Sequence, residues 1–255
     1  MTVVLVTRPD KQGEILCQKL AMKNIVSIYN PLILIQPELQ LRIISLAKKL
    51  HTFDIIIAVS QHAVTYMQKT IASSSLVWPK SAEYFAIGKK TAQILSKATQ
   101  QIVHYPKEND SEHLLSMSEL SHVKNKKVSI LRGNGGRELI FETLSKRQAI
   151  VRYQQIYQRV LLPLENSNIQ ILQWKNKGVD SLVVTSTFQL KFLLSQIIEP
   201  YHRIWFQGLD LFVPSKRIVF DAKKMGFNYV ISTGSASNAK LVKALCRKNR
   251  KLFYG

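Results

Sequence analysis

The residues of this chain best suited to chemistry stand at turns, and most of them are hydrogen-bond donors. The richest turn is Arg132-Gly133-Asn134-Gly135-Gly136-Arg137, inside the segment KVSILRGNGGRELI. An apolar run, Val128 to Leu131, leads into it, and Leu139, Ile140 and Leu144 leave it at helical spacing. A strand that turns through glycines into a helix cradles an anion. Glycine lets the backbone approach a ligand, and the helix N-terminus offers unpaired N–H groups and a partial positive charge. The turn fits no nucleotide fingerprint: Glu138 stands where G-x-G-x-x-G needs its last glycine, and no G-K-[ST] follows.

Further donors follow other apolar runs. They are Thr7-Arg8, Ser60-Gln61-His62, Gly88 with Thr91, Thr185-Ser186-Thr187, Ser215 with Arg217, and Thr233-Gly234-Ser235. This set is rich in hydroxyls, backbone donors and arginine and poor in carboxylates. Asp54 and Asp180 stand at the starts of their runs, away from it. Hydroxyls at such places also cap helices, a role assigned to about half of them. The best proton donor near the set is a phenol. Tyr157 is the candidate, with Tyr29 and Tyr153 read as packing residues. The six histidines show no H-x-x-x-H spacing and the two cysteines no C-x-x-C, so no metal site is expected. No G-x-S-x-G elbow is present, and Ser60 and Ser186 have no evident base, which argues against a hydrolase triad.

What positions these turns is a strict alternation of strand and helix. Apolar runs such as VVLVTRP, FDIIIAVS, EYFAIG, VDSLVVTS and LDLFV read as buried parallel strands. Helical patterns separate them, at Leu41–Leu50, Phe188–Ile198, Arg217–Met225 and Ala239–Cys246 among others. The pattern gives a doubly wound α/β architecture, whose ligands sit beyond the carboxyl ends of the strands. Two stretches break the alternation: LILIQP, ending at Pro37, and AIVRYQQIYQRVLLP, Ala149 to Pro163. Both are long, extended and bounded by proline.

An internal repeat interprets them. FDIIIAVSQHAV lies over VDSLVVTSTFQL at an offset of 126, which also carries EYFAIGKKTA onto LDLFVPSKRI. At an offset of 124, LVTRPDKQGEIL overlays SILRGNGGREL and pairs Arg8 with Arg132. We read a duplication: two similar doubly wound parallel-sheet domains joined by a two-stranded linker, with a cleft between them. One domain is expected over residues 1–36 plus 164–255 and the other over 39–157, with linker strands at 30–38 and 155–163.

The 255 residues are enough for two cores. The net charge of +20 invites a nucleic-acid reading, but the basic residues are scattered. The one dense cluster is Arg247-Lys248-Asn249-Arg250-Lys251. No nucleic acid is expected as partner, and a small polyanion would also profit from a positive field. No signal peptide or membrane-length apolar run is visible, so a cytoplasmic, soluble protein is expected, monomeric and with its thiols reduced.

VTRP at the N-terminus, SQHAV at 60–64, YFAIGKKTA at 84–92, ILRGNGGRELI at 130–140, IYQR at 156–159 and VVTS at 183–186 resemble the uroporphyrinogen-III synthase family, in its enterobacterial form. The resemblance implies two α/β domains on a two-stranded linker. It also implies an activity: cyclisation of the linear tetrapyrrole hydroxymethylbilane to uroporphyrinogen III, with loss of water and inversion of ring D, without metal or cofactor. In that case Tyr157 matches the tyrosine thought to assist departure of the hydroxyl. The substrate's eight carboxylates would meet the donor set of Arg8, Ser60, Gln61, His62, Gly88, Thr91, Arg132, Gly133, Asn134, Gly135, Gly136, Thr185, Ser186, Thr187, Ser215 and Arg217. This chain departs from the pattern with Val59 before Ser60, and with Pro214 and Arg217 in the second copy of the loop that holds Gly88 and Thr91. A non-catalytic two-domain polyanion binder is the alternative.

Overall fold

A parallel strand covered by helices on both faces needs apolar side chains at every position. The runs VVLV, IIIA and LFV supply them. The computed structural model of the chain describes residues 2–254 and the side chains of residues 2–249. In chain order it contains β1 (Val3–Val6), α1 (Asp10–Ala21), β2 (Val26–Tyr29), β3 (Ile33–Pro37), α2 (Gln40–Lys48), β4 (Ile55–Ala58) and α3 (Gln61–Ser73). Next come β5 (Glu83–Ala86), α4 (Lys89–Thr99), β6 (Val103–His104), α5 (Ser111–Leu115), β7 (Lys127–Gly133), α6 (Leu139–Lys146) and β8 (Ile150–Leu161). The remainder is α7 (Ser167–Asn176), β9 (Ser181–Val183), α8 (Thr187–Ser195), α9 (Pro200–Gln207), β10 (Asp210–Val213), α10 (Lys216–Lys224), β11 (Tyr229–Ser232) and α11 (Asn238–Tyr254).

The chain divides into two compact units, Met1–Ile35 with Val160–Gly255, and Gln36–Arg159. The first holds a five-stranded parallel sheet in the order β11-β10-β9-β1-β2. The second holds the sheet ordered β3-β8-β7-β4-β5-β6, parallel from β8 to β6. Within each sheet the winding reverses once. In the first unit the reversal lies between β1 and β9, and in the second between β7 and β4.

Alternation along the strands fills two layers of core. In the first unit Leu5, Leu182 and Leu211 pack with Ile171, Trp174, Leu190 and Phe206. Val4, Val6, Val183 and Phe212 turn the other way, onto Leu16 and Leu20 of α1 and Leu241 and Leu245 of α11. In the second unit Ile55, Ile57, Phe85, Val128 and Ile130 meet Leu114, Ile140 and Leu144. Each such side chain contributes about 1.5–3 kcal/mol on burial.

The elements differ from expectation at several points. The segment EHLLSMSEL is not one helix but the single turn of α5 and a separate 3-10 turn, Ser118–Leu120. Helix α9 was not anticipated; Pro200 opens it at the first helical position, where its missing N–H costs nothing. Strand β8 runs from Ile150 to Leu161, so residues 155–161 continue a strand that begins five residues earlier. Helix α11 runs past Cys246 and carries the basic cluster. Lys248 of that cluster turns inward: its Nζ reaches Asp180 Oδ1 at 3.0 Å, Ser181 Oγ at 2.7 Å and Asp210 Oδ2 at 2.9 Å. The side chains of Arg250 and Lys251 lie outside the described residues. Among the described residues no helix is long and apolar enough to cross a membrane.

Lys248 ties α11 to the first residues of β9 and β10. Lys248→Met leaves Asp180 and Asp210 facing each other without a cation. It is expected to lower the stability of the first unit by about 1–2 kcal/mol, read as a lower urea midpoint with an unchanged slope.

Candidate active site

Where a doubly wound sheet reverses, the helices leave in opposite directions and a crevice opens at the carboxyl ends of the strands. In the second unit the crevice lies between the ends of β7 and β4. It holds a cavity of about 180 Å³. Val59, Ile87, Ile130 and Ile140 form apolar walls, the glycines of the Arg132–Gly136 turn line it, and Arg132, Arg137, Arg159 and Tyr153 border it. The turn needs its glycines for two reasons. Gly135 and Gly136 have φ of 63° and 123°, which other residues rarely adopt. Gly133 is extended, but a Cβ there would collide with the Tyr157 ring.

Two of the three arginines are neutralised. Arg132, 7 % exposed, donates to Glu138 Oε1 at 3.1 Å and lies 4.1 Å over the Tyr153 ring. Tyr153 donates its hydroxyl to Glu138 Oε2 at 2.6 Å, so it is a hydrogen-bonding member of the site and not only a packing residue. That bond holds the Glu138 carboxyl below the usual carboxylate range, with Arg132 acting the same way and burial opposing both. Burial and the same bond push the Tyr153 phenol up. Arg137 makes a bidentate pair with Glu112, Nη1 donating to Oε2 at 2.9 Å and Nη2 to Oε1. Arg159 is different: its partners are neutral, the Asn134 carbonyl at 2.9 Å and the Tyr157 hydroxyl at 3.0 Å. The Asn134 side chain also accepts the backbone N–H of Arg159 at 2.7 Å, extending the strand pairing into the turn.

Tyr157 sits on β8, 1 % exposed. Its ring lies against Gly133, 5.7 Å from the His62 ring and 6.5 Å from that of Tyr66. Thus Tyr157, His62, Gly133 and Asn134 come together, with Arg159 joining them. Ser60 caps α3, accepting from His62 N at 3.2 Å, and Gln61 is exposed beside it. Gly88 opens α4 and Thr91 is buried in its first turn. The Asn109 side chain fills the space a Cβ on Gly88 would need, and accepts from Lys89 N at 3.3 Å.

The first unit repeats the arrangement at its own reversal. Thr7 donates its hydroxyl to the Val183 carbonyl at 2.8 Å. Arg8 donates to the Ala236 carbonyl and to Asn238 Oδ1 at 2.7 Å, and burial lowers its pKa. Gln189, 1 % exposed, accepts from both Thr185 N and Thr185 Oγ1 and donates to the Thr7 carbonyl, stitching β1 to the turn after β9. Ser186 and Ser215 cap α8 and α10, Thr187 donates to Asp221 Oδ2 at 2.6 Å, and Arg217 is exposed in the first turn of α10. Of the two arginines matched by the repeat, Arg132 is turned onto its own loop and Arg8 onto the loop at Ala236–Asn238.

Sequence reasoning missed Arg159, Gln189 and Asn109 as members of these turns. IYQR held the signal for Arg159; nothing local marks Gln189, and Asn109-Asp110-Ser111 reads as a start for the helix that follows it, whereas Asn109 serves α4, 20 residues back. It also did not foresee Glu108, Asp110 and His113, whose ligand atoms lie within 4.8 Å of one another at the start of α5. Asp110 is committed there, accepting from His113 N at 2.8 Å and meeting the ring Nδ1 at 2.7 Å, a pairing that raises the His113 pKa.

Residues 14–243 match the family described as "Uroporphyrinogen-III synthase HemD". The chain is 36 % identical over 244 residues to the uroporphyrinogen-III synthase of Escherichia coli K12, covering 95 % of this chain and 99 % of that one. It is 35 % identical over 246 residues to the enzyme of the same name from Salmonella typhimurium, with the same coverage of 95 % and 99 %. A crystal structure of a mutant uroporphyrinogen III synthase from Thermus thermophilus superposes with a TM-score of 0.72 at 15 % identity, covering 98 % of this chain and 100 % of the other. A Helicobacter pylori uroporphyrinogen-III synthetase gives 0.58 at 14 %, covering 96 % and 98 %. At such identities the two structures speak to the fold alone.

The Glu138 carboxylate has its pKa depressed in the folded chain. It therefore adds stability above the ordinary carboxylate range, and that stability is lost as pH falls through the depressed value. Glu138→Gln removes this contribution. The acid limb of stability against pH, followed by the urea midpoint from neutral pH downward, is expected to be shallower in the variant, and the two curves to converge at the acid end.

Proposed function

The chain belongs to the uroporphyrinogen-III synthase family, and from that premise we propose which of its groups carry the family's reaction. Its function is to cyclise hydroxymethylbilane to uroporphyrinogen III, with loss of water and inversion of ring D. Loss of the terminal hydroxyl gives an azafulvene. The substituted carbon of ring D attacks it, and the spiro intermediate fragments and recloses. Because the linear substrate closes unaided to the wrong isomer, orientation is the main catalytic demand.

The observation that carries our assignment is the contact between Arg159 and Tyr157. An arginine N–H donates to the phenol oxygen at 3.0 Å, so the oxygen is engaged as an acceptor and its own hydrogen is left for another partner. We assign that hydrogen to the departing hydroxyl, with Tyr157 as acid or hydrogen-bond donor. Arg159, which has no carboxylate partner among the described residues, is then available to a substrate carboxylate at the cavity. Asn134 and the backbone of Gly133, Gly135 and Gly136 supply further donors. Gln61, His62 and Arg217 are assigned substrate contacts. Ser60, Ser186, Ser215, Thr185 and Thr187 act first as caps and loop ties and bind substrate through their remaining lone pairs and hydrogens. Arg8 and Arg132 shape the loops that hold those donors, and Gly88 and Thr91 do the same at the start of α4. We infer that the enzyme works without metal or cofactor, as a monomer in the cytoplasm, with no nucleic-acid partner.

An isomer-resolved assay of purified protein, in the presence of a chelator and with no added cofactor, is expected to yield the type III product; type I alone would refute the assignment. Tyr157→Phe keeps the ring and is expected to lower turnover about a hundredfold with an unchanged unfolding midpoint. Arg159→Leu is expected to raise KM about tenfold, the cost of one charge-assisted contact.

A further inference from the structure

Strand β8 carries an extra residue. It runs in register with β7 from Ile150 opposite Lys127 to Gln155 opposite Arg132, and then Tyr157, not Ile156, stands opposite Gly133. The shift is a bulge at Ile156. It sets which side chain faces the glycine turn, because a slip of one residue in a strand exchanges its faces. Without it Ile156 would occupy the place of the phenol.

The contacts around the bulge converge on one residue, Glu38. Glu38 lies just beyond β3, with its side chain 3 % exposed. Its N–H donates to the carbonyl of Ile156, the extra residue itself, at 2.9 Å. One carboxylate oxygen accepts from both Gln155 Nε2 and Gln158 Nε2, the latter at 2.8 Å. The other oxygen accepts from Arg42 Nη1 at 3.3 Å. In a strand of regular two-residue period, positions 155 and 158 point to opposite faces. One oxygen can therefore take both amides only when a residue is bulged between them. Burial raises the Glu38 pKa, but the two amides and Arg42 outweigh it and keep the carboxyl below its ordinary range, so the clamp is charged at neutral pH.

We propose that Glu38 is a positioning residue for Tyr157: its buried carboxylate locks the bulge at Ile156 and so aims the phenol at Arg159, which borders the cavity. The proposal rests on the reading of Tyr157 as the proton donor. Glu38 touches no reacting atom in this scheme; it acts through the backbone of β8.

A double-mutant cycle tests it, read together with the ¹⁹F spectrum of protein labelled with 3-fluorotyrosine, in which the Tyr157 signal is identified by its loss in Tyr157→Phe. Glu38→Ala is expected to lower kcat roughly tenfold with KM within about twofold. In the Tyr157→Phe background the same substitution is expected to cost less than about twofold, and the Tyr157 signal is expected to move or broaden. A loss that persists in full without the phenol, or a Tyr157 signal that does not move, overturns the proposal. Should Glu38→Ala unfold, Glu38→Gln, which keeps the volume and one acceptor, takes its place in the same cycle. If Tyr157→Phe turns over like the unmutated enzyme, the proton-donor reading fails, and the ¹⁹F signal alone decides whether Glu38 positions the ring.

Discussion

Every helix that follows a parallel strand must start at the same edge of its sheet, and each start leaves backbone N–H groups without partners. This demand governs the site before any ligand does. Ser60, Ser186, Ser215 and Asp110 meet it with their own side chains, and Asn109 meets it for α4, where Gly88 cannot. Arginines are drawn into the same service: Arg8 holds the loop at Ala236–Asn238, and Arg132 holds Glu138 at the start of α6. The donors left for a polyanion are those that the edge does not consume. Arg159, bound only to neutral oxygens, is the clearest of them.

In the second unit a buried phenol lies at this edge. Tyr157 is held in plane by the absence of a side chain at Gly133 and by the His62 and Tyr66 rings. Its hydroxyl accepts from Arg159, two residues further along the same strand. Rigidity here comes from shape and from the bulge in β8, which the Glu38 carboxylate borders. Such a support suits a reaction whose difficulty lies in choosing one closure over another.

Much of this was legible in the sequence because it depends on local pattern. Continuous apolar runs gave the parallel strands, and glycines after a strand gave the turn at Arg132–Gly136. The resemblance carried by IYQR and ILRGNGGREL named the chemistry. What was not legible depends on partners distant in the chain. The neutralisation of Arg132 by Glu138 and Tyr153 needs the strand pairing of β7 with β8, and Gln189 acquires its role only when β1 lies beside β9. The bulge leaves no mark in composition, since Gln155, Ile156 and Tyr157 fit an unbroken strand equally well. Helix α9 was lost to a different cause: Pro200 reads as an ending when it is a beginning.

The nesting of one unit inside the sequence of the other has a consequence for how the chain is made. Strands β4 to β8 emerge in one uninterrupted stretch, so the second unit has all its sheet partners from β4 onward once Leu161 is out. Strand β1 is not so placed. Its neighbour on one side, β9, pairs Ser181 with Val4 and is synthesised only after that entire unit. Domains fold as units during synthesis, so the later-starting unit finishes first, while VVLV waits with an open, apolar edge of the kind that recruits wrong partners. The hazard in the biogenesis of this protein is thus concentrated in its first strand, and it lasts as long as translation takes to reach Val183.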